Sequence, residues 1–162
     1  MMMPEPRSVL IDQSVLAQLR ATASAADFRH EVGGVLLGCY RGPHLHVQDA
    51  TRPQARDRFS FASFVRDPFG HQDLATKAWR RSGGMTTYIG EWHSHPESLP
   101  TPSSIDRASW DQKVAEQRRD LIFVIQGWDG VHVEAADHLG RRRRLSPRER
   151  DAQGTLFTAP DL

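Results

Sequence analysis

His93 and His95 stand two residues apart in the stretch YIGEWHSHPESLPTPSSID, positions 88–106. The opening of that stretch reads as a strand, and strand side chains alternate between faces. Both imidazoles therefore project from one face, with Trp92 and Ser94 on the other. Two rings side by side can take two positions of a tetrahedral zinc. Pro96 has no amide hydrogen and stops the ladder, which leaves space for a substrate beyond the strand end. Asp106 is the third ligand candidate. The residues Ser103-Ser104-Ile105-Asp106 precede a polar run that reads as a helix, with Ser103 at N-cap spacing and Asp106 at the third helical position. The same residues fit a capping box, in which serine and carboxylate each bond the other's backbone amide. Two His and one Asp would leave the fourth zinc position to water, as in a catalytic rather than a closed structural site.

Hydrolysis at such a centre also needs a general base. Glu31 opens EVGGVLLG, where an acidic side chain at the start of an apolar strand is out of pattern; the plainer reading is a strand-end charge in solvent. Glu91 shares the face of His93 and His95 and reads as an outer partner for a ligand histidine. Ser103 as a nucleophile is discounted, because no histidine stays free to activate it once both bind metal. A second His-x-His, His44 and His46 in GPHLHV, is followed by no carboxylate at a helix start and reads as an ordinary alternating strand.

Glu31 in EVGGVLLG, then GEWHSHP, then seven residues between His95 and Ser103, then Ser103-x-x-Asp106 resembles the JAB/MPN metallopeptidase family, also called JAMM, and within it the bacterial stand-alone branch. The resemblance runs from about Val9 to about Val133 and fills every position of the family pattern. It implies a single MPN/JAB, cytidine-deaminase-like α/β domain. It also implies that His93, His95 and Asp106 bind Zn2+, that Glu31 is the general base, and that Ser103 helps to bind the oxyanion. The implied activity is a zinc-dependent peptidase or isopeptidase acting after the C-terminus of a ubiquitin-like or similarly conjugated protein, as in the anti-phage systems called CBASS. There the partners would be a nucleotidyltransferase and its activating or conjugating enzyme. Processing of a sulfur-carrier protein is the alternative, and a non-catalytic MPN scaffold another, which the complete ligand set opposes. A DNA-associated role like that of RadC-like proteins has no extra region here to carry it. The substrate-binding residues stay unassigned.

The chain has 162 residues, enough for one domain with a real core. Its formal net charge of +1 gives no general attraction to membranes or nucleic acid. No apolar run approaches the ~20 residues of a membrane span, and the start MMMPEPRSVL lacks the pattern of a secretion signal. Cys39 is the only cysteine, so neither an intrachain disulfide nor a cysteine zinc cluster is available. A reducing cytoplasm is the expected compartment.

The elements that must position the site follow from periodicity. Ser8 to Ile11 reads as a short strand, and a helix starts at Asp12 with Val15, Leu16 and Leu19 inward. The strand after Glu31 is apolar on both faces and belongs in the middle of the sheet. Its Gly33 and Gly34 should admit a close backbone neighbour. Arg41-Gly42-Pro43 turns into a strand over His44 to Ala50. Phe59, Phe61, Phe64 and Phe69 fall among charges in 51–70; a strand with Phe59 and Phe61 on the core face is the plain reading, substrate or subunit contact the sharper one. A helix is expected over Asp73 to Arg81 with Leu74, Ala78 and Trp79 inward, a second from about Ser104 to Arg118, and strands over Leu121 to Gln126 and Val131 to Ala135. The expected architecture is a mixed central sheet flanked by helices, with the JAB/MPN domain over 1–140. Residues 141–162, opening on Arg141, Arg142, Arg143 and Arg144, read as a basic tail or a final edge element, or more sharply as a contact for an acidic partner or nucleic acid, although an arginine run this short does not identify nucleic-acid binding.

Overall fold

The computed structural model describes residues 8–53, 58–59, 64–65 and 68–160. Strand β1 (Ser8–Asp12) leads into helix α1 (Gln13–Ala25), and β2 (Gly33–Arg41) pairs with β3 (His44–Ala50). Two short strands, β4 (Arg58–Phe59) and β5 (Phe64–Val65), form a separate pair before helix α2 (Pro68–Arg81). Then come β6 (Thr87–Ser94), helix α3 (Ser104–Gln117), β7 (Leu121–Gln126), β8 (Val131–Ala136), β9 (Arg142–Arg150) and β10 (Gly154–Thr158).

The eight long strands make one mixed sheet that closes on itself in the order β1-β10-β9-β8-β7-β6-β2-β3. The pairs β1/β3 and β6/β7 are parallel, and the other pairs are antiparallel. Closure removes the free edges that would otherwise invite pairing with other chains. The expected mixed sheet with flanking helices is present, and β2 is buried from Gly33 to Cys39 as its apolar pattern requires.

One core joins Val15 and Leu19 of α1 to Val9, Leu36, Val47, Trp92, Val124, Val133 and Phe157 of the sheet. The opposite face of the central strands is covered by the other two helices. Trp110 and Val114 of α3 pack on Leu121, Phe123 and Ile125, and Ala75 of α2 packs on Val35 and Leu37. A register shift in the β2/β6 ladder falls between Leu36 and Leu37. It lets Ile89 and Trp92 both enter the first core, while Tyr88 packs under the helices.

The end of the chain differs from the expectation. Residues after 140 are neither a tail nor a simple edge: β9 pairs with β8, and β10 bridges β9 and β1. The reason is visible in β9, where Leu145 is the one buried residue and the arginines around it lie mostly exposed. A strand whose hydrogen bonds are satisfied by two neighbours needs little apolar alternation to stay in a sheet. Helix α2 starts at Pro68, five residues before the expected Asp73, and proline suits a first helical position because its missing amide hydrogen has no partner there anyway. Its Trp79 is 52% exposed rather than inward. The Phe59 and Phe64 backbones pair across β4 and β5, Phe69 lies in α2, and Phe61 falls outside the described residues.

Candidate metal centre

The site lies at the C-terminal end of β6, where the strand passes into the loop before α3. His93 pairs with Gly33 of β2 and with Ile125 of β7. A Cβ at Gly33 would stand 2.3 Å from the carbonyl oxygen of Trp92, so only glycine lets β2 lie this close beside His93. A Cβ at Gly34 would stand 2.4 Å from the Thr51 carbonyl oxygen, and both glycines thus serve close approach, as their sequence suggested. The amide of Ser94 donates to the Val32 carbonyl at 2.8 Å, and the Ser94 hydroxyl accepts from the Val32 amide at 3.1 Å. That clamp fixes the residue next to Glu31 against the residue between the two histidines.

Helix α3 brings the carboxylate. Ser103 caps it: its hydroxyl accepts from the Asp106 amide at 3.1 Å, and its own amide donates to Asp106 Oδ2 at 2.8 Å. The capping box and the ligand geometry are not alternatives, because the cap aims the carboxylate at the histidines. Asp106 Oδ1 lies 3.2 Å from His93 Nε2, and Oδ2 lies 3.1 Å from His95 Nε2. The two Nε2 atoms are 3.0 Å apart. Beneath them Trp110 stacks on Phe123 and lies 6.3 Å from the His93 ring.

One ligand atom from each of His93, His95 and Asp106 lies within 4.8 Å of the others. The donor chemistry fits a cation: two imidazole nitrogens and a carboxylate oxygen converge, an N/O set of the kind that suits zinc. Glu31 stands beside it, with Oε1 3.5 Å from His95 Nε2. All four side chains are largely shielded from water.

The charges respond to this crowding. Burial acts to raise the Asp106 carboxyl, but hydrogen bonds with His93 and His95 outweigh it and hold the group well below the usual carboxylate range. Burial acts to lower His95, yet hydrogen bonds to Asp106 and Glu97 and the charge of Glu31 push it up to about 9. Glu31 is raised above its ordinary value, first by burial, with the nearby histidines opposing.

The structure thus brings together five sequence-derived candidates, Glu31, His93, His95, Ser103 and Asp106. Glu91 accepts a hydrogen bond from the Tyr88 hydroxyl at 3.3 Å. Besides Asp106, Glu97 is hydrogen-bonded to a site histidine: its Oε1 lies 2.8 Å from His95 Nδ1. No strand or helix pattern singles out Glu97; an acid two positions after a candidate ligand is the available signal. The other His-x-His pair is accounted for elsewhere: His44 Nδ1 lies 2.8 Å from the Ser8 hydroxyl, and His46 Nε2 lies 2.6 Å from Asp12 Oδ1. A cavity of about 320 Å³ lies between α2 and α3, with Lys113 and Arg119 in its wall, and includes none of the five site residues.

Residues 12–145 match the family described as prokaryotic homologs of the JAB domain. The chain belongs to the prokaryotic JAB family. A Pseudomonas aeruginosa protein named CD-NTase/cGAS isopeptidase is 37% identical over 139 residues, 85% of this chain and 88% of that protein. A Vibrio cholerae protein of the same name is 34% identical over 72% of this chain and 75% of its own length. A probable metalloprotease of Sinorhizobium fredii is 32% identical over 63% of each chain. Among solved structures, a Desulfitobacterium hafniense protein matches with a TM-score of 0.63 at 22% identity, over 84% of this chain and 88% of that one; that likeness speaks to fold alone. The JAB fold and its mixed sheet are as the sequence pattern implied, and among the described residues no helix is long and apolar enough to cross a membrane.

Proposed function

We propose that this protein is a zinc-dependent isopeptidase of the JAMM type, which hydrolyses the bond joining the C-terminal tail of a nucleotidyltransferase to another molecule. The observation that carries the reading is the convergence of His93, His95 and Asp106, with Glu31 beside them but outside the ligand set. The names of the relatives support the substrate class.

His93, His95 and Asp106 would hold the zinc, which when bound polarises a scissile carbonyl and acidifies a water. The chain's own residues supply the rest. Glu31 takes a proton from the attacking water as its oxygen bonds to the carbonyl carbon. It then gives that proton to the nitrogen as the carbon–nitrogen bond breaks. Burial raises its pKa above the ordinary carboxylate value, which makes it a better proton acceptor. The Ser103 hydroxyl already accepts from the Asp106 amide, so its own hydrogen stays available to donate to the developing oxyanion. One such donor is worth ~3 kcal/mol in the transition state. Release of a conjugated nucleotidyltransferase would reverse the work of an activating or conjugating enzyme in an anti-phage system. The reducing cytoplasm is the proposed compartment, consistent with Cys39 as a lone buried thiol.

Intact-mass analysis tests this directly. The substrates are a nucleotidyltransferase with a C-terminal extension, and ubiquitin-like and sulfur-carrier proteins extended in the same way. Cleavage at the end of the nucleotidyltransferase tail, abolished by chelator and restored by zinc, is the expected result. Cleavage of the sulfur-carrier substrate alone would replace the substrate class, and no cleavage by zinc-loaded protein would overturn the reading.

A further inference from the structure

Three carboxylates lie within 3.5 Å of the His95 ring nitrogens, those of Asp106, Glu97 and Glu31, and only the first belongs to the converging ligand set. Asp106 meets Nε2, and Glu97 meets Nδ1 at 2.8 Å. An ionised carboxylate accepts hydrogen bonds and donates none, so the charged ring donates from Nε2 to Asp106 at 3.1 Å and from Nδ1 to Glu97 at 2.8 Å. Glu97, at the shorter distance, keeps the Nδ1 proton when the ring gives up the other. That leaves the lone pair of the neutral ring on Nε2, the nitrogen that faces His93 and Asp106.

Glu97 is itself held from a distant part of the chain. Its amide donates to the His95 carbonyl at 2.8 Å, folding the loop back on the strand end. Its carbonyl accepts from the Trp128 amide at 3.0 Å, and the carbonyl of Ser98 accepts from the Asp129 amide at 3.0 Å. The turn between β7 and β8 thus docks on the loop through two backbone hydrogen bonds. Gly127 makes the docking possible: a Cβ there would lie 2.6 Å from the Glu97 carbonyl oxygen and 2.7 Å from that of Ser98. The same turn reaches the other side of the site, since the Trp128 ring meets Phe28 edge to face at 6.1 Å, three residues before Glu31.

We propose that Glu97 is a positioning residue for the metal centre: it fixes His95 in the tautomer that offers Nε2 to the ion, and the turn from Gly127 to Gly130 holds Glu97 in place. The proposal rests on the metal centre proposed above. Partners of this kind orient a ligand ring and raise its basicity, and losing one costs roughly 10–100-fold in metal affinity.

The test uses the full chain and zinc alone. Zinc affinity is measured by competition with a chromophoric chelator for the wild type, Glu97→Gln, Glu97→Ala and Gly127→Ala. The protonated ring nitrogen of His95 is located by 15N NMR of the zinc-loaded wild type. Glu97→Ala is expected to bind zinc roughly 10–100-fold more weakly. Glu97→Gln keeps an acceptor oxygen and should bind more tightly than Glu97→Ala. Gly127→Ala should weaken binding in the same direction with Glu97 intact. The NMR signal should show hydrogen on Nδ1. Glu97 substitutions remove a half-exposed side chain and leave the core intact, so they decide the matter if Gly127→Ala does not fold. Zinc binding by Glu97→Ala within twofold of wild type, or a proton on Nε2, overturns the proposal while leaving the metal centre standing. A folded wild type that binds no zinc overturns both.

Discussion

Zinc uptake by this protein should be coupled to the release of a proton from His95. In the metal-free site that imidazole is raised to about 9, because the carboxylates of Asp106, Glu97 and Glu31 outweigh the opposing effect of burial. At pH 7 the ring is therefore about two units below its pKa, and roughly one molecule in a hundred has it neutral. A metal can bind only the neutral ring, so the proton must leave. Two units correspond to about 2.7 kcal/mol, and apparent zinc affinity should rise about tenfold for each pH unit between 6 and 8. Titration calorimetry in buffers of different ionisation enthalpy counts the proton, and chelator competition at each pH gives the slope. A flat affinity over that range, with no dependence on buffer, would mean that His95 gives up no proton on binding. The same shift bears on stability without metal. The folded pKa lies above the unfolded value of 6.5, so the contribution is complete below about 6.5 and disappears as pH rises through about 9.

Three other expectations follow from particular contacts. Ser103→Ala removes the N-cap acceptor of α3 and should cost about 1 kcal/mol, a fall in melting temperature of roughly 2–4 °C at this chain length, together with loss of turnover; an unchanged melting curve would count against the cap. Gly33→Ala places a Cβ 2.3 Å from the Trp92 carbonyl oxygen, and forcing β2 from β6 should destabilise the fold by about 1–3 kcal/mol in a denaturant titration. Glu134 is buried on β8, 2.9 Å from His132 Nε2. Burial acts to raise its carboxyl, but the His132 hydrogen bond and the charges of His132, Arg107 and Arg142 lower it below its ordinary 4.5. A depressed folded pKa gives stability that is present above the unfolded value and lost as pH falls through the folded one. Glu134→Gln should therefore flatten the acid limb of the stability curve below pH 4.5.

The centre was legible because two short-range rules happened to carry it. The two-residue period of a strand put His93 and His95 on one face, and the N-cap signature placed Asp106 at the start of α3. Glu31 was legible only as a residue out of pattern, since the clamp between Ser94 and Val32 that fixes its neighbour spans 62 positions. Glu97 was hidden for a related reason: its carboxylate acts locally, but the turn that docks its backbone lies about thirty residues on. The last two strands were hidden because β9 carries one buried residue among arginines, and a strand held by ladder bonds on both sides leaves no period to read. Closure of the sheet depends on β1 meeting β10, a pairing between the two ends of the described chain that no local pattern announces.

In the proposed mechanism Glu31 serves a catalytic metal centre without being part of the ion's ligand set. The direct measurement is the cleavage rate of zinc-loaded Glu31→Gln against wild type on the tail-extended nucleotidyltransferase, with metal content determined on the same samples. Equal zinc content and a rate reduced about 10²-fold or more, the scale of a lost general base, are expected. A variant that holds zinc and cuts within a few-fold of wild type would contradict that mechanism.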